Sequence, residues 1–296
     1  VLLTVLISAA AALSYGVSDF LGAVGARRLR VLPGTTITYL FAFGTLAVVL
    51  ALVGGEWSAA ALGWGAVAGV AAIAGFLAFY AALAAGPMSL ASPLIAVMGS
   101  LVPVVIAIVL GERLPLLAWI AVVLALTGGL AISVTRRRAG AGIPRKTVVL
   151  SLLAGTLLGL SIVALDLAPL TAGVTPAFVE IVVGLALLGL LLAASGLSAA
   201  VRRFLSILDE EQEGPVPTTA RARVASAAGG VLLGVANWLI LAGLQSGSLA
   251  VVSVLVGLYP VATIVLARLV YRERLTGLQS AGVVLAIVAS VLLALA

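Results

Sequence analysis

Apolar stretches of about twenty residues recur from one end of this chain to the other, and each is long enough to cross the roughly 30 Å hydrocarbon core of a bilayer as a helix. With 64% hydrophobic and only 9% charged residues, the 296-residue chain has too little polar surface to cover a water-soluble core of its size. Its mean hydropathy of +1.34 agrees. Helices rather than barrel strands are implied. Barrel strands alternate apolar and polar residues, whereas 97–110 is apolar throughout apart from Gly99 and Ser100.

Breaking the chain at Gly, Pro and charge clusters predicts an all-α integral membrane protein with ten spans, near 2–23, 33–53, 60–84, 91–110, 116–135, 147–168, 174–195, 224–245, 249–270 and 277–295. The first stretch has no basic residue ahead of it and no small-residue cleavage site, so it reads as a span. With loops numbered alternately, fifteen of the sixteen basic residues fall on one side and only Arg113 on the other. The positive-inside rule then places the basic loops in the cytoplasm of a cell's inner (plasma) membrane and both termini outside. The net charge of +6 is thus membrane topology, not a nucleic-acid surface. In the longest loop, 198–223, Val201, Phe204, Leu205 and Leu208 suit a short surface helix, or the segment is a solvated connector.

The absence of Cys and His removes disulfides, thiolate nucleophiles, imidazole bases and nearly every transition-metal site. No metal or other cofactor is expected. A membrane enzyme working on lipid-linked substrates would need a His or a cluster of acids and bases at one interface, and the sequence offers neither.

An internal repeat organises the chain. "VLGERLP" at 109–115 is echoed by "VYRERLT" at 270–276, so a shift of 161 positions superposes Glu112 on Glu273 and Arg113 on Arg274. The same shift aligns Gly86 with Gly247, Ser92 with Ser253 and "VVLA" at 122–125 with "VVLA" at 283–286. Nearer the start the shift is 147, pairing Ser14 with Ser161 and Asp19 with Asp166. Two units follow, 1–138 and 146–296, the second containing the loop 198–223. Five spans per unit is an odd number, so the second copy enters the membrane inverted. Glu112 and Glu273 then close equivalent helices on opposite faces, as markers of the water boundary rather than as a substrate site.

The paired "ERL" elements, the "YP" at Tyr259 and Pro260, and the small-residue first helices "LSYGVSDF" and "LGLSIVALD" resemble the drug/metabolite transporter superfamily and its ten-helix EamA-type members. The resemblance implies a central cavity ringed by spans 1, 3, 4, 6, 8 and 9, with spans 5 and 10 peripheral. It implies secondary transport without ATP of a small amphiphilic metabolite such as an amino acid, most often its export. A multidrug exporter and a flippase for a lipid-linked sugar share the architecture. Consistently, no phosphate-binding GxxxxGK[ST] loop is present. The first half has Met98 and Gly99 where the second has Tyr259 and Pro260, and its Pro103 lies four positions on, so spans 4 and 9 should bend differently.

Asp19, Asp166 and Glu180 fall within predicted spans, where an ionisable group usually faces a cavity or a partner. A short connection joins the Asp166 end of span 6 to span 7, so Asp166 and Glu180 either approach as a proton-coupling pair or sit solvated at the interface. Asp19 lines the cavity or pairs with Arg27 or Arg28. Asn237 orients a substrate's polar group, with Trp238, Phe76 and Tyr80 as apolar walls, or bonds across helices. Tyr259 reads as a cavity residue, with Tyr15 and Tyr39 ranked below it, and Pro260 as a hinge. The expected partners are a small-molecule solute, the lipid bilayer and, as coupling ion, protons. The oligomeric state leaves no trace in the sequence.

Overall fold

The computed structural model describes residues 2–29, 31–85, 88–133, 145–208, 218–271 and 276–296, and among them all regular structure is helical. The helices are α1 (Leu2–Leu29), α2 (Val31–Val53), α3 (Ala59–Ala85), α4 (Met88–Val109), α5 (Leu116–Ser133), α6 (Arg145–Asp166), α7 (Thr175–Leu197), α8 (Ala199–Leu208), α9 (Thr219–Ser246), α10 (Leu249–Val256), α11 (Tyr259–Tyr271) and α12 (Gly277–Leu295), with a 3₁₀ turn at Leu170–Ala172. Seven of them, α1, α2, α3, α6, α7, α9 and α12, are long and apolar enough to cross a membrane. Shorter apolar helical stretches occupy Leu94–Val109, Leu116–Ala131 and Leu249–Thr263.

Local chemistry sets these boundaries. Ser58, Ser198, Thr218 and Ser248 each accept a hydrogen bond from the backbone N–H three residues on, at 3.1–3.4 Å, and Thr276 with Gln279 completes a reciprocal capping box. Gly54 and Gly111, at φ 83° and 100°, turn the chain after α2 and α4 in the left-handed region that other residues avoid. α8 occupies part of the longest predicted loop, with Leu205 buried, Val201 half-buried and Arg202 and Arg203 exposed. It is therefore a surface helix rather than a featureless connector; the Phe204 and Leu208 side chains lie outside the described residues.

The ninth predicted span is two helices. Pro260 has no N–H to offer the carbonyl of Val256, and its ring would crowd that oxygen. Accordingly α10 stops at Val256, the chain tightens through Leu258 N–H to Leu255 O (3.1 Å), and α11 starts at Tyr259. α4 runs unbroken past Pro103. Its Gly99 carbonyl and the Pro103 ring both lie against Gly159 of α6, where an added Cβ would fall 3.1 and 3.0 Å from them. The two halves thus bend differently at this point, as their different proline placement requires.

The halves are interleaved. α1 packs mainly on α9, α3 on α6 and α7, α2 on α9, and α5 on α12, so the major neighbours of a helix belong to the other half. These pairings map onto themselves when the halves are exchanged. α5 and α12 show the direction of that exchange. Ala121, Ala125 and Gly128 correspond, at the 161-residue shift, to Gly282, Ala286 and Ala289, and late Gly128 meets early Gly282 and Ala286. A late-to-early meeting of equivalent helices is the one expected when they run antiparallel, as in an inverted repeat.

Small residues set the helix spacing. A Cβ on Gly155 would lie 2.6 Å from both the Ile95 carbonyl oxygen and Met98 Cβ, and one on Gly234 would lie 2.7 Å from Thr45 Cβ. Outside this packing, Val48, Leu52, Val67, Val70, Leu152, Val284, Ile287 and Val291 are exposed and form the lipid-facing belt.

Replacing Gly155 by Leu should lower the thermal unfolding midpoint in detergent and cut the monodisperse yield, because overpacking costs about 1–3 kcal/mol. Leu at Gly44 or Gly189, which face open space, should leave both unchanged.

Candidate functional site

Three tight glycine contacts position the central polar residues. Gly69 of α3 lies against α7, so that a Cβ there would stand 2.6 Å from the Glu180 carbonyl oxygen. Gly184, one turn further along α7, lies under the Tyr39 ring of α2, with 2.5 Å from a Cβ to Cε1. Gly16 of α1 lies against the Tyr259 carbonyl and Ala262 of α11, and Thr263 Oγ1 donates to the Gly16 carbonyl at 3.0 Å. Each contact draws one polar side chain towards the middle of the bundle.

The Tyr15 and Tyr259 rings pack edge to face with centroids 5.1 Å apart. Asp19, one turn beyond Tyr15 on α1, is half-buried, and Tyr15 lies within electrostatic reach of Asp19, Tyr259, Tyr39 and Glu180. Glu180 is 6% exposed. Its Oε1 accepts from Ser161 Oγ of α6 at 3.1 Å, while Oε2 is buried with no hydrogen-bond partner. Glu180 is the sixth residue of α7; an ionisable group within a membrane helix is costly unless partnered, and a hydrogen bond to a charged group returns about 1.5–3 kcal/mol. The single Ser161 bond therefore offsets the burial of only one of the two oxygens.

Glu180 takes Ser161 as its partner, whereas Asp166, five residues further along α6, lies at the helix end within reach of Glu112. The structure thus places the two carboxylates in different surroundings. Arg28 donates to Thr219 Oγ1 at 3.4 Å, about two and a half turns from Asp19 along α1; the Arg27 side chain lies outside the described residues. Asn237 Nδ2 donates to the Leu233 carbonyl of its own helix at 3.2 Å, a use that neither sequence reading considered. Phe76 packs on Phe79 in α3 (6.2 Å), and Trp238 is half-buried against the core in α9. The Tyr80 side chain lies outside the described residues. Pro260 is the second residue of α11, immediately beyond the break. The polar cluster also takes Tyr39 from α2 and Glu180 from α7, two helices that the implied ring of six leaves out.

Glu112 performs a task that its helix-end position alone does not reveal. Its carboxylate accepts from Ser248 Oγ (2.6 Å), Leu249 N–H (2.8 Å) and Ala250 N–H (3.4 Å), so a residue of the first half caps α10 of the second. Nearby, Val174 N–H donates to Gly54 O (3.4 Å), Gln245 Nε2 to Gly173 O (2.9 Å) and Thr4 Oγ1 to Ser246 O (3.0 Å). The Glu112, Val174–Gly54 and Thr4–Ser246 bonds stitch one end of the bundle across the halves, and the Gln245–Gly173 bond lies within the second half. The described charged residues of this end are Glu56, Glu112, Arg113 and Asp166, whereas Arg28, Arg145, Lys146, Arg202, Arg203, Arg221 and Arg223 mark the other end. Glu273 and Arg274 lie outside the described residues.

A family model described as the EamA-like transporter family matches twice, over residues 2–134 and 145–295. The chain belongs to the EamA-like transporter family. Several solved structures share the fold of this EamA-like protein; one of them, described only as "Crystal structure of protein", has 20% sequence identity and a TM-score of 0.69, with 98% of this chain and 95% of that one covered. No curated protein matches the chain.

Sequence reading missed Ser161 as a partner of Glu180, although the Ser14–Asp19 and Ser161–Asp166 echo had marked it, and it missed the capping by Glu112, which depends on a contact between halves. Substituting Glu112 by Ala should leave Ser248 and the Leu249 N–H without their acceptor and destabilise this end by about 1–3 kcal/mol. Amide hydrogen exchange at Leu249 and Ala250 should then rise, with little change at Gly155.

Proposed function

We propose that this protein is a secondary transporter of a small amphiphilic solute, with ten membrane crossings in two inverted halves that exchange facing states around the Tyr15, Asp19, Tyr39, Glu180 and Tyr259 cluster. The observation that carries the reading is Glu180: a carboxylate buried in the bundle with one oxygen unpartnered, within electrostatic reach of Tyr15, has no structural use that an apolar residue would not serve better. Family membership supports a transporter, and the inverted relation of α5 and α12 supports alternating access. The break between α10 and α11 lies beside Tyr259 and gives the second half a joint at the level of the cluster. Glu180 is the proton-coupling group; Asp166 stays at the solvent boundary. The basic end of the bundle is cytoplasmic and the end closed by Glu112 is external.

In proteoliposomes the protein should give saturable counterflow of an amphiphilic solute from a broad panel, and no counterflow of any panel member by folded protein would defeat the transporter reading. Glu180→Gln should flatten the dependence of counterflow on pH, while Asp166→Asn should preserve it; persistence of the full pH profile in Glu180→Gln would remove the coupling role. Because the chain contains no native cysteine, Glu56→Cys should react with an impermeant maleimide on intact cells, and Arg203→Cys should react only after permeabilisation.

A further inference from the structure

Within the transporter reading, on which this inference rests, the central cluster also specifies the charge of the solute. Asp19 and Glu180 each lie within electrostatic reach of Tyr15, whose ring packs on Tyr259. All sixteen basic residues of the sequence lie near a predicted span end or in the connections, and among the described residues no basic side chain is placed to neutralise this centre. Glu180 takes its hydrogen bond from Ser161 of α6 and lies within electrostatic reach of Tyr15 of α1, while α2 sets Tyr39 over Gly184 one turn along and α3 presents the bare Gly69. None of these groups is a cation. Tyrosine faces carry negative electrostatic potential and attract ammonium groups within about 6 Å of the ring, and the buried Glu180 Oε2 is an acceptor still without a donor.

We infer that the solute is a compact organic cation, a protonated amine on an apolar or aromatic body, with its ammonium at the Glu180 carboxylate and its body beside the Tyr15 and Tyr259 rings. A zwitterionic amino acid fits less well. Its carboxylate needs donors, yet the Asn237 amide donates to Leu233 O and the Ser161 hydroxyl to Glu180. The Tyr15 hydroxyl lies within reach of Asp19 and Glu180, which repel a second anion. Anionic solutes are disfavoured for the same reason.

The test uses the full-length protein in detergent, with thermal unfolding followed against phenethylammonium, phenylalanine and hydrocinnamate, and then counterflow of labelled phenethylammonium in proteoliposomes. Phenethylammonium should raise the unfolding midpoint in a saturable way, with little effect from the other two. Glu180→Gln should weaken its apparent affinity about ten-fold or more. Tyr259→Leu should weaken it several-fold and Tyr259→Phe should not, because Phe keeps the aromatic face; this pair carries the test if Glu180→Gln does not fold. Protection by phenylalanine or hydrocinnamate equal to that by phenethylammonium, absence of protection by phenethylammonium, or affinity indifferent to both Glu180→Gln and Tyr259→Leu would overturn the cation site. Binding of phenethylammonium with no counterflow would uphold the site and overturn the carrier, while counterflow of phenylalanine alone would uphold the carrier and overturn the site.

Discussion

Backbone meeting backbone at glycine is the contact on which this structure depends. In hydrocarbon the apolar effect does not draw one apolar helix to another, so association relies on close packing and on polar bonds between helices. Gly16, Gly69 and Gly184 allow that closeness, and each also sets the place of a polar residue, Tyr259, Glu180 and Tyr39 respectively. Packing and site are therefore one construction. A larger residue at any of these glycines would push a helix outwards and carry a polar side chain with it.

The polar centre and the polar end follow different chemistry. At the end, Glu112 is fully employed, with both oxygens accepting bonds and the positive pole of α10 in front of it. In the middle, Glu180 is half employed, with one bond from Ser161 and one oxygen idle. The first arrangement holds two halves together; the second leaves a buried acceptor unsatisfied. Both are single carboxylates in a chain with ten acidic residues, and only their surroundings separate the roles.

Much of the fold could be read from the residues, because the signals behind it are local or periodic. Long apolar runs announced the helices, the 161-residue echo announced two units, and Pro260 against the displaced Pro103 announced that the two halves bend differently. Side-chain partners were far less legible. Asn237 turns back on its own helix and Glu180 finds Ser161 rather than Asp166, because partner choice depends on helix rotation and spacing, which glycine contacts between distant segments decide. Ser161 had been noticed only as part of a repeat, and nothing near Glu112 in sequence points to Ser248, 136 residues away.

The interleaving of the halves bears on how the chain comes to exist in a membrane. When the ribosome has delivered only α1–α5, α1 and α2 still lack α9, α3 lacks α6 and α7, and α5 lacks α12. Small-residue faces built for tight partners must meanwhile lie against lipid or against one another. The molecule therefore matures late: its early segments wait as loosely held helices, and the last of them to be made, α12, supplies the partner that fastens α5.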